Sequence, residues 1–202
     1  MNLPLRPPRK PWKTAMNYHP EDYAYGTVID WDGLSKTVHA DNVAKGFWPP
    51  EGRNFGEMIA LAHSELSEAH DDWDHKREPD EKLPQYMNTF VEIADCMIRL
   101  LDTMGSRGGS VYGLNVMDYC DNQFGVTQYR SMGDNLMRIN SKLSGALEAY
   151  RKGDEEAIKG NLEDAFMLCF ALMVAHNQNA LGIIEAKLSY NRSRPYKHGK
   201  KF

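Results

Sequence analysis

The chain has 202 residues, with 24 Lys+Arg against 28 Asp+Glu and a formal charge of −4. That length suits one compact domain with a sizeable core, and the near-even charge argues against electrostatic wrapping of nucleic acid or a polybasic membrane anchor. The longest apolar run, Ala165 to Ala175, is eleven residues, short of the eighteen or so that a membrane helix needs. Three scattered cysteines (Cys96, Cys120, Cys169) without a Cys-x-x-Cys motif make a disulfide framework or structural zinc unexpected. A soluble, cytoplasmic protein with no membrane or nucleic-acid partner is expected.

Residues 1–31 carry five prolines and the aromatics Trp12, Tyr18, Tyr23, Tyr25 and Trp31. They read as an extended N-terminal arm packing through its aromatics; without an apolar h-region the arm is not expected to be a secretory signal. Asp32 is the expected N-cap of a first helix, Leu34 to Lys45, stopped by Gly46. Pro49-Pro50 breaks the chain, and Asn54-x-x-Glu57 has the form of a capping box opening a helix to about Lys76. Pro79 and Pro84 bound a charged loop before a third helix, roughly Gln85 to Gly105. Weaker helical signals cover 112–122, and strong ones return at 131–152, 155–178 and 181–192. No stretch alternates as a strand does, so the predicted fold class is all-α. A single all-helical domain is expected over 32–202.

Two helices carry apolar stripes at bundle spacing: Ile59, Ala62, Leu66, Ala69 and Trp73, then Phe90, Ala94, Met97, Leu101 and Met104. Beside each runs an acidic stripe. Glu65, Glu68 and Asp72 share one face of the first, and Glu92 and Asp95 share one face of the second. If the helices are antiparallel neighbours, Glu65, Glu68, Glu92 and Asp95 converge at one edge of the bundle. The bland alternative is a solvated acidic face. Against it stand like-charge repulsion at i, i+3, neighbouring small residues that permit close helix approach, and an expected lack of basic partners one turn away. Oxygen-only ligation selects Mg²⁺, with Mn²⁺ as the alternative. A di-iron carboxylate centre needs Glu-x-x-His, which the chain lacks.

Glu65-Leu-Ser-Glu68 followed by Glu92-Ile-Ala-Asp95 resembles the ExxE…ExxD signature of the all-α nucleoside triphosphate pyrophosphohydrolase superfamily, which includes MazG, MazG-like proteins, dimeric dUTPases and phosphoribosyl-ATP pyrophosphohydrolases. Residues 56–73 and the ending 185–200 look MazG-like in particular. The likeness covers roughly 34–105 and 181–200; the segment 106–180 lies outside a minimal MazG-like unit. The resemblance implies Mg²⁺-dependent cleavage of a nucleoside triphosphate to the monophosphate and pyrophosphate. Glu65, Glu68, Glu92 and Asp95 would be metal ligands and catalytic residues, with Glu65 one candidate general base. It also implies that Lys187 and Asn191 contact substrate.

Arg194 and Lys197, with His198 behind them, are further candidate phosphate contacts, although most basic C-termini are simply solvated. Trp73 can stack on a base or serve the core, and His63, on the flank opposite Glu65, reads as structural. The segment 110–180 echoes the metal-binding half, 32–105: Ser64–Ala69 aligns with Ser141–Ala146, and Asp95 with Asp164. In this echo Lys142 stands for Glu65, Gly145 for Glu68 and Asn161 for Glu92. A degenerate repeat half completing a four-helix-bundle core is expected, an arrangement that resembles the dimeric dUTPases, followed by a basic helix and tail, 181–202. Homo-oligomerisation stays open. The functional alternative is a catalytically silent helical bundle that binds nucleotide or metal as a regulator. Charge is segregated: residues 51–102 hold 13 acids and 5 bases, whereas 183–202 hold 1 acid and 6 bases.

Overall fold

The structure is a computed structural model and describes residues 29–109, 127 and 130–199. Most of the predicted N-terminal arm and the weak helical signals at 112–122 lie outside the described residues, as does Cys120. Six α-helices account for most of the rest: α1 (Trp31–Ala44), α2 (Phe55–Asp71), α3 (Asn88–Ser106), α4 (Met132–Lys152), α5 (Glu155–Ala175) and α6 (Ala180–Ser193). Among the described residues there is no strand, only an isolated bridge between Pro79 and Met87. The chain is all-α, as its periodicity predicts.

Local chemistry sets the helix ends. Asn54 accepts from the Glu57 N–H (3.0 Å) and opens α2, as the capping box requires. The cap of α1 is Asp30, not Asp32; Asp30 accepts from the Gly33 N–H (2.8 Å), and Asp32 sits in the first turn pairing with Lys36. Helix α2 continues to Lys76 through a π-helical turn, Asp72–Lys76, and stops at Arg77 in the left-handed region. Helix α3 begins three residues later than predicted, without a capping side chain of its own. Asp72 supplies the cap from the preceding hairpin arm, its Oδ2 accepting from the Thr89 N–H (3.0 Å) and the Thr89 hydroxyl.

Helices α2 and α3 pack as one hairpin and α4 and α5 as another, with α2 against α4 and α3 against α5. Helix α3 is central: 13 of its 19 residues are buried, and α1 and α6 both lie on it. At the α1–α3 crossing a Cβ on Gly105 would stand 2.3 Å from the Ser35 carbonyl oxygen and 2.7 Å from the His39 Cβ. Gly105→Ala is therefore expected to lower stability by about 1–3 kcal/mol or more, read as a fall in the urea midpoint.

The two hairpins share a register. Moving 77 positions along the chain carries the α2 cap pair, Asn54 and Glu57, onto the α4 cap pair, Ser131 and Asp134. The same step carries buried Phe55, Met58, Ile59, Ala62, Leu66, Ala69 and Asp72 onto Met132, Asn135, Leu136, Ile139, Leu143, Ala146 and Ala149, which are the buried residues of α4. His63 and Asn140, themselves 77 apart, hydrogen-bond across the α2–α4 contact. A residue meets its own equivalent only near a two-fold axis. The C-caps of α3 and α5, Arg107 and His176, likewise correspond through the alignment of Asp95 with Asp164.

Candidate metal centre

The carboxylate stripes meet where α2 faces α3. Glu65, Glu68 and Glu92 each bring one oxygen to within 4.8 Å of the others. Glu65 is buried, Glu92 half-buried and Glu68 exposed, so the group spans the rim of the bundle. Opposed oxygens around Mg²⁺ lie about 4.2 Å apart, twice a bond of roughly 2.1 Å. A modest inward rotation of these side chains therefore suffices, and the three glutamates can hold a metal ion.

Asp95 departs from the predicted four-ligand set. Its Oδ2 accepts from Lys187 Nζ at 2.7 Å, and it is not among the converging oxygens. Lys187 is 7% exposed; burial works against its charge, but Asp95, then Glu92 and Asp80, outweigh this and raise its pKa. Arg99 is a second cation that sequence reasoning overlooked. It lies one turn beyond Asp95 on α3, where a basic partner was expected to be missing. Its guanidinium crosses to Glu65, with Nε 2.6 Å from Oε1. The i, i+4 spacing from Asp95 was the available signal. Asp72, on the predicted acidic stripe, turns inward to cap α3 and leaves the cluster.

The electrostatics follow from this crowding. Burial, then Asp95 and Glu65, push the Glu92 carboxyl up to about 8. Burial raises Asp95 to about 6, against the opposing pull of Lys187. With all four acids ionised, four negative charges face two positive ones, Arg99 and Lys187; the deficit equals one divalent cation. Because the folded pKa values exceed the ordinary 4.5 and 3.8, the native state binds more protons than the unfolded chain between about pH 4 and 8. Metal-free stability should then fall as pH rises through that window. Thermal melts at pH 5 and 8.5 are expected to show this fall, and Mg²⁺ should restore more stability at the higher pH, where no proton competes. A rise in metal-free Tm toward pH 8.5 would contradict it.

The corresponding place in the second hairpin carries no acidic cluster. Lys142 Nζ, at the Glu65 position, pairs with Asp164 at 2.7 Å, so an ammonium sits among these side chains. At the Glu68 position, a Cβ on Gly145 would lie only 2.5 Å from Asn161 Oδ1, the side chain at the Glu92 position. Asn161 thus occupies the space beside Gly145.

The remaining predicted residues take varied places. Asn191 lies one turn beyond Lys187 on α6, and its Oδ1 is buried without a hydrogen bond. The Arg194 guanidinium lies over the Tyr190 ring, 5.7 Å from its centroid. Lys197 donates its backbone N–H to the Lys45 carbonyl (2.8 Å). Lys45 Nζ donates in return to the Arg192 carbonyl (2.7 Å) and to that of Arg194. The basic tail is thus docked on the end of α1. Trp73 is half-buried, with the Arg77 guanidinium 4.3 Å over its ring and His176 at 5.1 Å, edge-on. His63 hydrogen-bonds Asn140 across the α2–α4 contact.

Among the described residues, no single helix is long and apolar enough to cross a membrane. Compared with protein-family models, curated proteins and solved structures, the chain matches none.

Proposed function

We propose that the protein is a Mg²⁺-dependent nucleoside triphosphate pyrophosphohydrolase, releasing a monophosphate and pyrophosphate. The observation that carries this is the convergence of Glu65, Glu68 and Glu92 beside a buried Lys187. It agrees with the resemblance of the ExxE…ExxD pattern to the MazG-like superfamily. The donor set suits a hard divalent cation, since it is all oxygen and its charge deficit is two. When bound, Mg²⁺ would neutralise the triphosphate oxygens and polarise the phosphorus under attack by water.

The chain's own residues have separable tasks. Glu65 is oriented by Arg99, Glu92 is poised to exchange its proton for a cation, and Lys187 offers an ammonium to a phosphate oxygen while holding Asp95 in place. We further propose that α4–α5 is a duplicated copy of α2–α3 that lost its acids and now completes the bundle. The shared cap and burial registers support this.

A second reading is a silent nucleotide- or metal-binding regulator. It is favoured by one observation: Arg99 and Lys187 already neutralise two of the four acids. Pyrophosphate release from a nucleotide panel with Mg²⁺ separates the two. Turnover by the wild type supports the enzyme; saturable binding without turnover supports the regulator.

A further inference from the structure

Asn88 is the first residue of α3, yet its side chain does not cap the helix. Asp72 does that through Thr89. The Asn88 amide lies half-buried between two carboxylate oxygens, 3.2 Å from Glu92 Oε1 and 3.0 Å from Asp80 Oδ2. An amide oxygen in that place would face acceptors alone, so the amide nitrogen occupies it and donates to both carboxylates. Glu92 follows Asn88 by four residues, the spacing that puts two side chains on one face of a helix.

The far end of this bridge is fixed. Asp80 is 3% exposed, and its Oδ1 accepts from the N–H groups of Lys82 (2.9 Å) and Leu83 (2.6 Å). The Asp80 N–H donates to the Tyr86 carbonyl (2.9 Å), and the Asn88 N–H to that of Glu78 (2.9 Å). Residues 78–88 therefore form a loop closed by backbone bonds and by the Pro79–Met87 bridge. Asp80 Oδ2 is the oxygen left over, and the Asn88 amide takes it. A rigid loop is thus tied through one neutral amide to a candidate metal ligand.

Of the three converging glutamates, Glu65 is held by Arg99 and Glu92 by this amide. A carboxylate has two oxygens, so Glu92 can keep Oε1 on Asn88 and offer Oε2 to a cation. Because the amide is neutral, it orients the carboxylate without competing for its charge. The second hairpin supplies the contrast. In the alignment that matches Glu92 with Asn161, Asn88 meets Ala157, which has no side-chain donor. Asn161 Nδ2 turns back to the Ala157 carbonyl at 2.7 Å. Where the acid is absent, so is the amide that would hold it.

We propose that Asn88 is a positioning residue of the metal centre, holding Glu92 in the orientation that cation binding needs. The proposal rests on the metal centre at Glu65, Glu68 and Glu92. Ligating carboxylates are ordinarily hydrogen-bonded in turn, and loss of such a partner typically costs about 10–100-fold in metal affinity or activity.

Mn²⁺ titration followed by electron paramagnetic resonance at pH 8.5 tests this on the full-length wild type, Asn88→Ala and Leu83→Ala. Leu83 is buried in the same loop, so its truncation loosens the loop and leaves the amide in place. Asn88→Ala is expected to raise the Mn²⁺ dissociation constant by about tenfold or more, and Leu83→Ala by much less. If Asn88→Ala does not fold, Asn88→Ser replaces it with the same expectation, since one hydroxyl hydrogen cannot serve two carboxylates. Unchanged affinity in the folded Asn88 variant, or equal losses in the Asn88 and Leu83 variants, overturns the positioning role and leaves the metal centre standing. Absence of saturable Mn²⁺ binding in the wild type defeats the metal centre and the proposal with it.

Discussion

Glu68→Gln is expected to reduce pyrophosphate release by a factor on the order of 10²–10³, the usual consequence of removing one charged group that faces a transferring phosphoryl centre. Glu68 separates chemistry from folding better than its neighbours. It is exposed, so its loss opens no cavity, and surface replacements usually change stability by about 0.5 kcal/mol or less. It is also one of the charges that raise Glu92, so its neutralisation should, if anything, slightly stabilise the metal-free protein. Glu65→Gln, by contrast, disturbs the Arg99 pair as well and mixes the two effects. Activity and Tm measured together check this. Undiminished turnover in a folded Glu68→Gln protein would remove Glu68 from the site.

Lys187→Met is expected to be the most destabilising single change in the site, costing about 3 kcal/mol, because it leaves half-buried Asp95 without its cation. The same replacement at Lys142 should cost about 1 kcal/mol or less. Both pairs have the same 2.7 Å separation, but the side chains of Lys142 and Asp164 are 41% and 42% exposed, whereas those of Lys187 and Asp95 are 9% and 19% exposed. Water already solvates the first pair, so little is lost when one member goes. Two further measurements isolate the cause. Asp95→Asn added to Lys187→Met should recover most of the loss, and lowering the pH from 8.5 should recover part of it, because Asp95 without the downward pull of Lys187 takes its proton above its wild-type value of about 6. Equal urea midpoints for the Lys187→Met and Lys142→Met proteins would show that burial does not set the strength of these pairs.

What could be read in the sequence follows from the range of each interaction. The capping box at Asn54 and the apolar seams of α2 and α3 involve residues three or four apart, and these were legible, as were the helical segments they bound. The convergence of Glu65, Glu68 and Glu92 needed one added assumption, an antiparallel hairpin, which the Pro-bounded loop justified. The pairing of Asp95 with Lys187 was not legible, for a different reason. Its spacing from Glu92 is that of a ligand, but whether its carboxylate meets a metal or Lys187 depends on how α6 lies on α3, and no local pattern records that. Asp72 shows the same limit: periodicity put it on the acidic stripe, and the N-terminus of α3 claimed it. Arg99 was visible at i+4 and missed. A pocket beside Asn191 is lined from α1, α3 and the end of α6 together and could not be read from any one of them.

The most direct measurement of the central claim is a Mn²⁺ titration followed by electron paramagnetic resonance, with Mg²⁺ as competitor, on the wild type and Glu68→Gln at pH 8.5. The wild type should bind Mn²⁺ saturably and release it to Mg²⁺, and Glu68→Gln should lose that binding while keeping its helical content. Saturable binding of equal strength in both proteins, or none in either, would contradict a metal centre at Glu65, Glu68 and Glu92.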